Sequence, residues 1–226
     1  MGSARSDRIS PLAVKRLSLY LRCLEELAQQ DQTTVSSRQL AKALGLTDAQ
    51  VRKDLAYFGQ FGRPGVGYAV QDTVTRLRVI FGTQKDWEVA VVGVGSIGRA
   101  LLGFKGFGQR GFRLAAAFDK DPAKIGRKIG GVLVQSAGEL AATVRKKRIR
   151  LTVLAVPAQA AQEVAEALCR AGVKGILNFA PVRLNVPDDV AVVPVDLGSL
   201  LQQLSYFVTA AQAGNQTHPG VRRDLT

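Results

Sequence analysis

The run Gly93-Val94-Gly95-Ser96-Ile97-Gly98 constrains this chain more than any other segment. It is a GxGxxG pattern set between the apolar stretch Glu88 to Val92 and a helical pattern from Arg99 to Phe104. In that setting the first glycine makes a tight strand-to-helix turn. The second lets a pyrophosphate approach the backbone, and the third lets helix and strand pack closely. Phosphate oxygens would then meet helix N-terminal amides. A second apolar run, Leu114 to Phe118, ends in Asp119, 21 residues past Gly98. An acid there hydrogen-bonds the ribose of adenosine and repels a 2′-phosphate, favouring NAD(H) over NADP(H). Lys120 and Lys124 soften that preference.

Further apolar runs alternate with helical patterns, the signature of βαβ units and a doubly wound parallel sheet. Leu151 to Val156 stops at Pro157, Gly175 to Phe179 stops before Pro181, and Ala191 to Val195 ends at Asp196. Ser136 with Glu139 caps a helix leading to the first of these, and Ala158 to Cys169 forms the helix after it. Ligands of such sheets bind outside the carboxyl ends of the strands. Val156, Pro157, Asn178, Phe179 and Ala180 are therefore candidates for the nicotinamide side, each equally readable as a turn residue. Arg145 to Arg150 (RKKRIR) is the densest basic cluster and reads as a solvated helix end running into a strand. The closing helix, Ser199 to Ala211, is apolar on more than one face, which calls for burial against a partner subunit.

The first 80 residues have a different texture. Pro11 to Gln30 carries Leu17, Tyr20, Leu21, Leu24 and Leu27 at helical spacing. A second helix starts at Ser36, with Gln39 completing a capping box, and stops at Gly45. A third starts at Thr47 with Gln50 three residues on. Helix, short glycine turn and capped helix form a helix-turn-helix pattern. If Val51, Leu55 and Phe58 face inward, Gln50, Arg52, Lys53 and Tyr57 face out as donors for phosphates and base edges. Ser36 and Ser37 at the start of the second helix join that face. The glycine-rich stretch 59–68 then reads as a β-hairpin wing, with Arg63, Gly65 and Tyr68 near the nucleic acid. Phe58, Phe61 and Tyr68 would anchor it on the core. A linking helix follows at 72–82.

These patterns predict a winged-helix DNA-binding domain with its linking helix over 1–82. They place a Rossmann domain at 83–198, a closing helix at 199–212 and a tail at 213–226. Formal charge is +13, spread as +5 over residues 1–80 (12 basic, 7 acidic) and +8 over the rest (19 basic, 11 acidic). That balance suits a nucleic-acid partner but does not say which half meets it. No apolar run reaches the ~18 residues a membrane helix needs. The N-terminus lacks the apolar core of a signal peptide, so a cytoplasmic location is expected. Cys23 and Cys169 are distant and unpaired by any CxxC, and both fall on apolar helix faces. With a single histidine, His218, in the tail, neither a metal site nor a His-dependent dehydrogenase is expected. Tyr20, Tyr57, Tyr68 and Tyr206 are followed four residues on by Leu24, Phe61, Asp72 and Ala210. The tyrosine–lysine base of short-chain dehydrogenases is thus missing, and no catalytic residue is assigned.

Several segments in order carry a family resemblance. They are RLSLYLRCLEEL at 16–27, QVRKDLAYFGQFG at 50–62, GVGY at 65–68, GVGSIG at 93–98, FDKDPAKIG at 118–126, VPAQAAQ at 156–162 and GILNFAPVRLNVP at 175–187. In these the chain resembles the Rex family of NADH-sensing transcriptional repressors of bacteria, over roughly residues 10–212. The resemblance implies a homodimer whose C-terminal helix is swapped against the partner. It would bind inverted-repeat double-stranded operator DNA, be released by NADH, and bind NAD⁺ in competition without release. It also implies that Arg16 and Arg22 lie near the domain interface, that Asp196 pairs with such an arginine, and that Leu197 approaches the nicotinamide across the dimer. Phe104 departs from the tyrosine many members carry, whose hydroxyl joins that Asp–Arg exchange. Pro64 stands where the wing has a second basic residue.

Overall fold

A computed structural model describes residues 9–63 and 65–213. The chain divides into two units, one ending at Gly82 and the next starting at Thr83.

In the first unit, Ser10 accepts a hydrogen bond from the Ala13 amide and Pro11 stands at the first helical position, which fixes the start of α1 (Pro11–Gln29). Its inward stripe is Leu17, Tyr20, Cys23 and Leu24. A short strand follows, β1 (Thr34–Val35). Then come α2 (Ser37–Ala43), opened by the Ser36–Gln39 capping box, and α3 (Asp48–Ala56), capped by Thr47. Gly45, at φ 63°, supplies the left-handed turn between them. Strands β2 (Gly62–Arg63) and β3 (Gly67–Ala69) form the hairpin, and α4 (Val70–Phe81) closes the unit at Gly82, φ 67°. The sheet order is β1-β3-β2, all antiparallel. The strand β1 was not legible as a strand: two residues carry no alternation, and its ladder exists only because β3 lies beside it. Gly67 is what lets them meet, since a Cβ there would fall 2.5 Å from the Val35 carbonyl oxygen. The core joins Leu17, Tyr20, Leu24, Leu40, Val51, Leu55, Val74 and Leu77.

The second unit is a parallel sheet. Its first strand is β4 (Trp87–Val92), followed by α5 (Ser96–Gly103), a 3₁₀ turn at 105–110 and β5 (Phe112–Asp119). A hairpin of β6 (Lys128–Ile129) and β7 (Val132–Ser136) comes next, in place of a crossover helix. The Ser136–Glu139 capping box opens a 3₁₀ turn that leads into α6 (Leu140–Lys146). Then follow β8 (Leu151–Leu154), α7 (Ala158–Ala171), β9 (Gly175–Asn178), β10 (Ala191–Pro194) and α8 (Leu197–Ala213). The order is β10-β9-β8-β4-β5-β7-β6, parallel except for the edge strand β6. Leaving out β6, this is the 3-2-1-4-5-6 order of dinucleotide-binding folds, with the switch point between β4 and β8. Apolar residues fill both faces, as a parallel sheet requires. Ala90, Phe118 and Leu154 pack with α6 and α7 on one side, and Val91, Ala117, Val134 and Val153 pack with Leu102 on the other.

Helix α8 begins two residues earlier than its apolar pattern indicated, because Asp196 caps it: Oδ1 accepts from the Ser199 amide and Oδ2 from its hydroxyl. Leu197, Leu200, Leu201, Leu204, Tyr206 and Val208 all stand exposed. Among the described residues no helix is long and apolar enough to cross a membrane, and no group of acids, Cys and His could hold a metal ion. His218 lies outside the described residues.

Candidate nucleotide site and nucleic-acid interface

The three glycines of the 93–98 loop differ in what surrounds them. Gly93 has φ 92°, and a Cβ there would fall 2.3 Å from the Ala155 carbonyl oxygen. A Cβ on Gly98 would fall 1.9 Å from the Gly93 carbonyl oxygen. These two are fixed by the protein's own packing. A Cβ on Gly95 meets nothing within 4 Å. Its backbone borders open space at the N-terminus of α5, where no side chain caps the helix. Ser96 and Ile97 are exposed beside it, while Val94 is buried. That is the arrangement a pyrophosphate needs: bare amides, a helix dipole and no side chain in the way.

Asp119, at the end of β5, is buried. Its Oδ2 accepts from the Val94 amide at 2.8 Å and from Lys124 Nζ at 3.1 Å, and its Oδ1 from the Asp121 amide at 2.9 Å. Burial works to raise this carboxyl, but those donors overcome it and hold it below its ordinary range. The acid thus ties the glycine loop to the β5 loop and keeps one acceptor position on Oδ1. Lys120 beside it is exposed.

The other candidates line the same sheet edge. Past each strand the ladder continues by one more bond. Gly93 donates to Phe118, Ala155 to Val92, Phe179 to Leu154 and Val195 to Asn178, each at 2.8 Å. Val156 and Phe179 are half-buried, Ala180 is buried, and Pro157 and Leu197 are exposed. The Asn178 side chain is committed to its own loop, donating to the Val182 carbonyl and accepting from the Ala180 amide, both at 2.9 Å. It shapes the turn. Phe104 is exposed and meets Phe107 edge-on at 5.1 Å, with its ring seated on Gly106.

In the first unit, Val51 and Leu55 are buried, and Arg52, Lys53 and Tyr57 are exposed on the other face of α3. The Arg52 guanidinium reaches Asp48 at 2.6 Å and the Ser37 hydroxyl at 3.3 Å. The Ser36 hydroxyl is spent on the α2 cap. Gly65 (φ 78°) is open at the hairpin turn, whereas Tyr68 is buried in the core beneath it. Tyr68 therefore serves the anchoring part of its sequence reading. The side chain of Arg63 and all of Pro64 lie outside the described residues. Arg76 of α4 fastens the hairpin's base, donating to the Gln60 carbonyl at 2.6 Å with its guanidinium 5.6 Å from the Phe61 ring centre.

The residue that sequence reasoning missed is Asp54. It is buried between Val51 and Leu55 and gathers four donors. Arg16 forks onto it through Nε (2.6 Å to Oδ2) and Nη2 (2.8 Å to Oδ1). The Tyr20 hydroxyl donates at 2.8 Å to Oδ2, and Gln50 Nε2 at 2.8 Å to Oδ1. Burial pushes this carboxyl up, but Arg16, Tyr20 and Gln50 outweigh it and hold it below its ordinary range. Burial, reinforced by Asp54, pushes the Tyr20 hydroxyl well up. The available signal was an acid on the inward stripe of α3, matched by an arginine and a tyrosine four apart in α1. Arg22, by contrast, is exposed, 3.7 Å from Glu26.

Residues 8–56 match the family model described as putative DNA-binding protein N-terminus, and residues 84–182 match that of the CoA binding domain. The redox-sensing transcriptional repressor Rex of Carboxydothermus hydrogenoformans is 47% identical over 201 residues, 89% of this chain and 97% of that protein. Its counterpart in Chloroflexus aurantiacus is 41% identical over 208 residues, 92% and 98%. The chain belongs to the Rex family. Two solved structures of the repressor RSP are also similar. One, in complex with β-NAD⁺ and operator DNA, has a TM-score of 0.85 at 36% identity, covering 92% of this chain and 96% of that one. The other, in complex with β-NADH, has a TM-score of 0.85 at 34% identity, covering 93% and 99%. Both Rex relatives are named as transcriptional repressors.

Proposed function

We propose that this Rex chain represses transcription as a homodimer on inverted-repeat, double-stranded operator DNA and lets go when NADH occupies the site around Gly95. The observation that carries the reading is one chain holding two finished devices. One is a capped helix-turn-helix with a wing. The other is a glycine loop whose middle position alone stands open.

Gly95 and the α5 amides would hold the pyrophosphate, and the remaining acceptor position of Asp119 suits a ribose hydroxyl. Val156, Pro157, Phe179 and Ala180 would wall the nicotinamide, with Leu197 contributed across the dimer. A wall of such apolar residues favours the neutral reduced ring over the oxidised cation, because burying an unpaired charge is costly. Ser37, Gln50, Arg52, Lys53, Tyr57, Arg63 and Gly65 would face the operator. The exposed leucines of α8 suit the partner subunit, where the helix would be swapped. Such a regulator works in the cytoplasm, where the DNA is.

Release needs only differential binding. If NADH favours the non-DNA state by ~1.4 kcal/mol, operator affinity falls about tenfold. Arg16 sits on Asp54 in this structure, so any exchange that engages Arg16 elsewhere has to take it from that acid. With Phe104 in place of tyrosine, no hydroxyl from that position takes part.

The test is fluorescence anisotropy on a Rex-type inverted-repeat duplex at fixed salt, titrating NADH, NAD⁺ and NADPH separately. Release by micromolar NADH alone is expected. Tight binding indifferent to all three would refute the redox readout, and absence of DNA binding would refute the repressor itself.

A further inference from the structure

Gln50 is the third residue of α3, in the first turn, the part of a recognition helix that meets base edges in the helix-turn-helix mode. It is half-buried, and its Nε2 lies 2.8 Å from Asp54 Oδ1. Asp54 is ionised, and a carboxylate only accepts hydrogen bonds. The nitrogen of the Gln50 amide must therefore be the atom turned toward it. Asp54 cannot turn away to release it, because its two oxygens are held by Arg16 and Tyr20 of α1 as well. The usual freedom of a glutamine amide to flip end for end is thus removed.

An amide has one acceptor and two N–H donors. One N–H is spent on Asp54. What Gln50 retains is a carbonyl oxygen beside one N–H. Adenine presents the complement of this pair in the major groove, a 6-amino donor beside the N7 acceptor. Guanine presents two acceptors, O6 and N7, and would set O6 against the fixed carbonyl oxygen. We infer that Asp54 is a positioning residue for operator specificity: by locking the Gln50 amide, it makes Gln50 an adenine reader that rejects guanine. This rests on the DNA-binding reading above and names one base contact within it.

The experiment is selection from a randomised duplex library by the full chain, by Gln50→Met and by Asp54→Asn, followed by anisotropy on single synthetic sites. A selected motif from the wild type establishes DNA binding independently of which bases it contains. The wild-type motif is expected to demand adenine at one position of each half-site. Gln50→Met, which keeps the side chain's length without its polar atoms, should level that position and no other. Replacing that adenine by purine, which lacks the 6-amino group, should weaken the wild type about five- to tenfold and leave Gln50→Met unaffected. Asp54→Asn, whose amide can donate as well as accept, should admit guanine there. If Asp54→Asn does not fold, Gln50→Met and the purine duplex still decide. A motif left unchanged by Gln50→Met, or a wild type indifferent to the 6-amino group, overturns the inference while the DNA reading stands. No motif from the wild type overturns both.

Discussion

Asp54 and the glycines of the 93–98 loop show how differently single residues can matter. Asp54 carries four hydrogen bonds in a buried place. Asp54→Ala strands the Arg16 charge and should cost about 3 kcal/mol, read as a lower urea midpoint for the first unit's unfolding. The pH dependence has a definite sign. The folded carboxyl sits below its unfolded value, so its contribution is complete above about pH 4 and is lost as pH falls through the folded value. Stability measured from pH 6 down to pH 2 should fall in the wild type, and less steeply in Asp54→Asn. In the glycine loop, Gly98→Ala drives a methyl into the Gly93 carbonyl and should cost about 3 kcal/mol. Gly95→Ala meets nothing, and Gly95 has a φ of −78°, which any residue can adopt. It should change stability by less than about 0.5 kcal/mol, yet weaken NADH binding by calorimetry more than about tenfold. Equal effects at the two glycines would contradict the reading of the loop. The tight turn at Gly93 and the close packing at Gly98 were legible in the spacing of the motif. The inward engagement of Asp119 was not, because Lys124 and the Val94 amide reach it only through the fold.

Elements were legible where they carry their own local signals. Helices α2 and α3 begin where Ser36 and Thr47 cap them, and the GxGxxG turn marks the end of β4 and the start of α5. Where pairing partners supply the structure, the sequence is silent. The two-residue strands β1 and β6 have no alternation to read, and β5 extends back to Phe112 because β4 lies along it from Trp87. The β9-to-β10 connection shows no helical pattern, and none forms: Ala180, Leu184 and Val190 bury a loop instead. Helix α8 was legible as apolar on several faces, and the structure leaves those faces exposed within one chain. Leu200→Asp combined with Leu204→Asp should leave the helical content of the chain intact by circular dichroism. Sedimentation should then report a monomer where the wild type is expected to run as a dimer. An unchanged dimer would place the contact elsewhere.

For the whole molecule, the +13 charge suits an acidic partner. Operator affinity should fall steeply with salt, and each lost phosphate contact should flatten the log–log slope by about 0.9. Lys53→Ala is expected to do so by about one such step without altering NADH binding, measured by anisotropy across a salt series. Arg52 is a different case, since Asp48 already holds it within the free protein. Its engagement with a phosphate exchanges one anion for another, so Arg52→Ala should change the slope less than Lys53→Ala does.

The four-way junction at Asp54 also has an evolutionary consequence. The same carboxylate joins α1 to α3 and grips Gln50 in the first turn of α3. A lineage that drifted toward a new operator by altering this acid would lose helix packing in the same step. Arg52 and Lys53 carry no such double duty: both are exposed, and neither joins α3 to α1. The acid and its arginine and tyrosine donors should therefore stay together among relatives of this chain as one inherited unit.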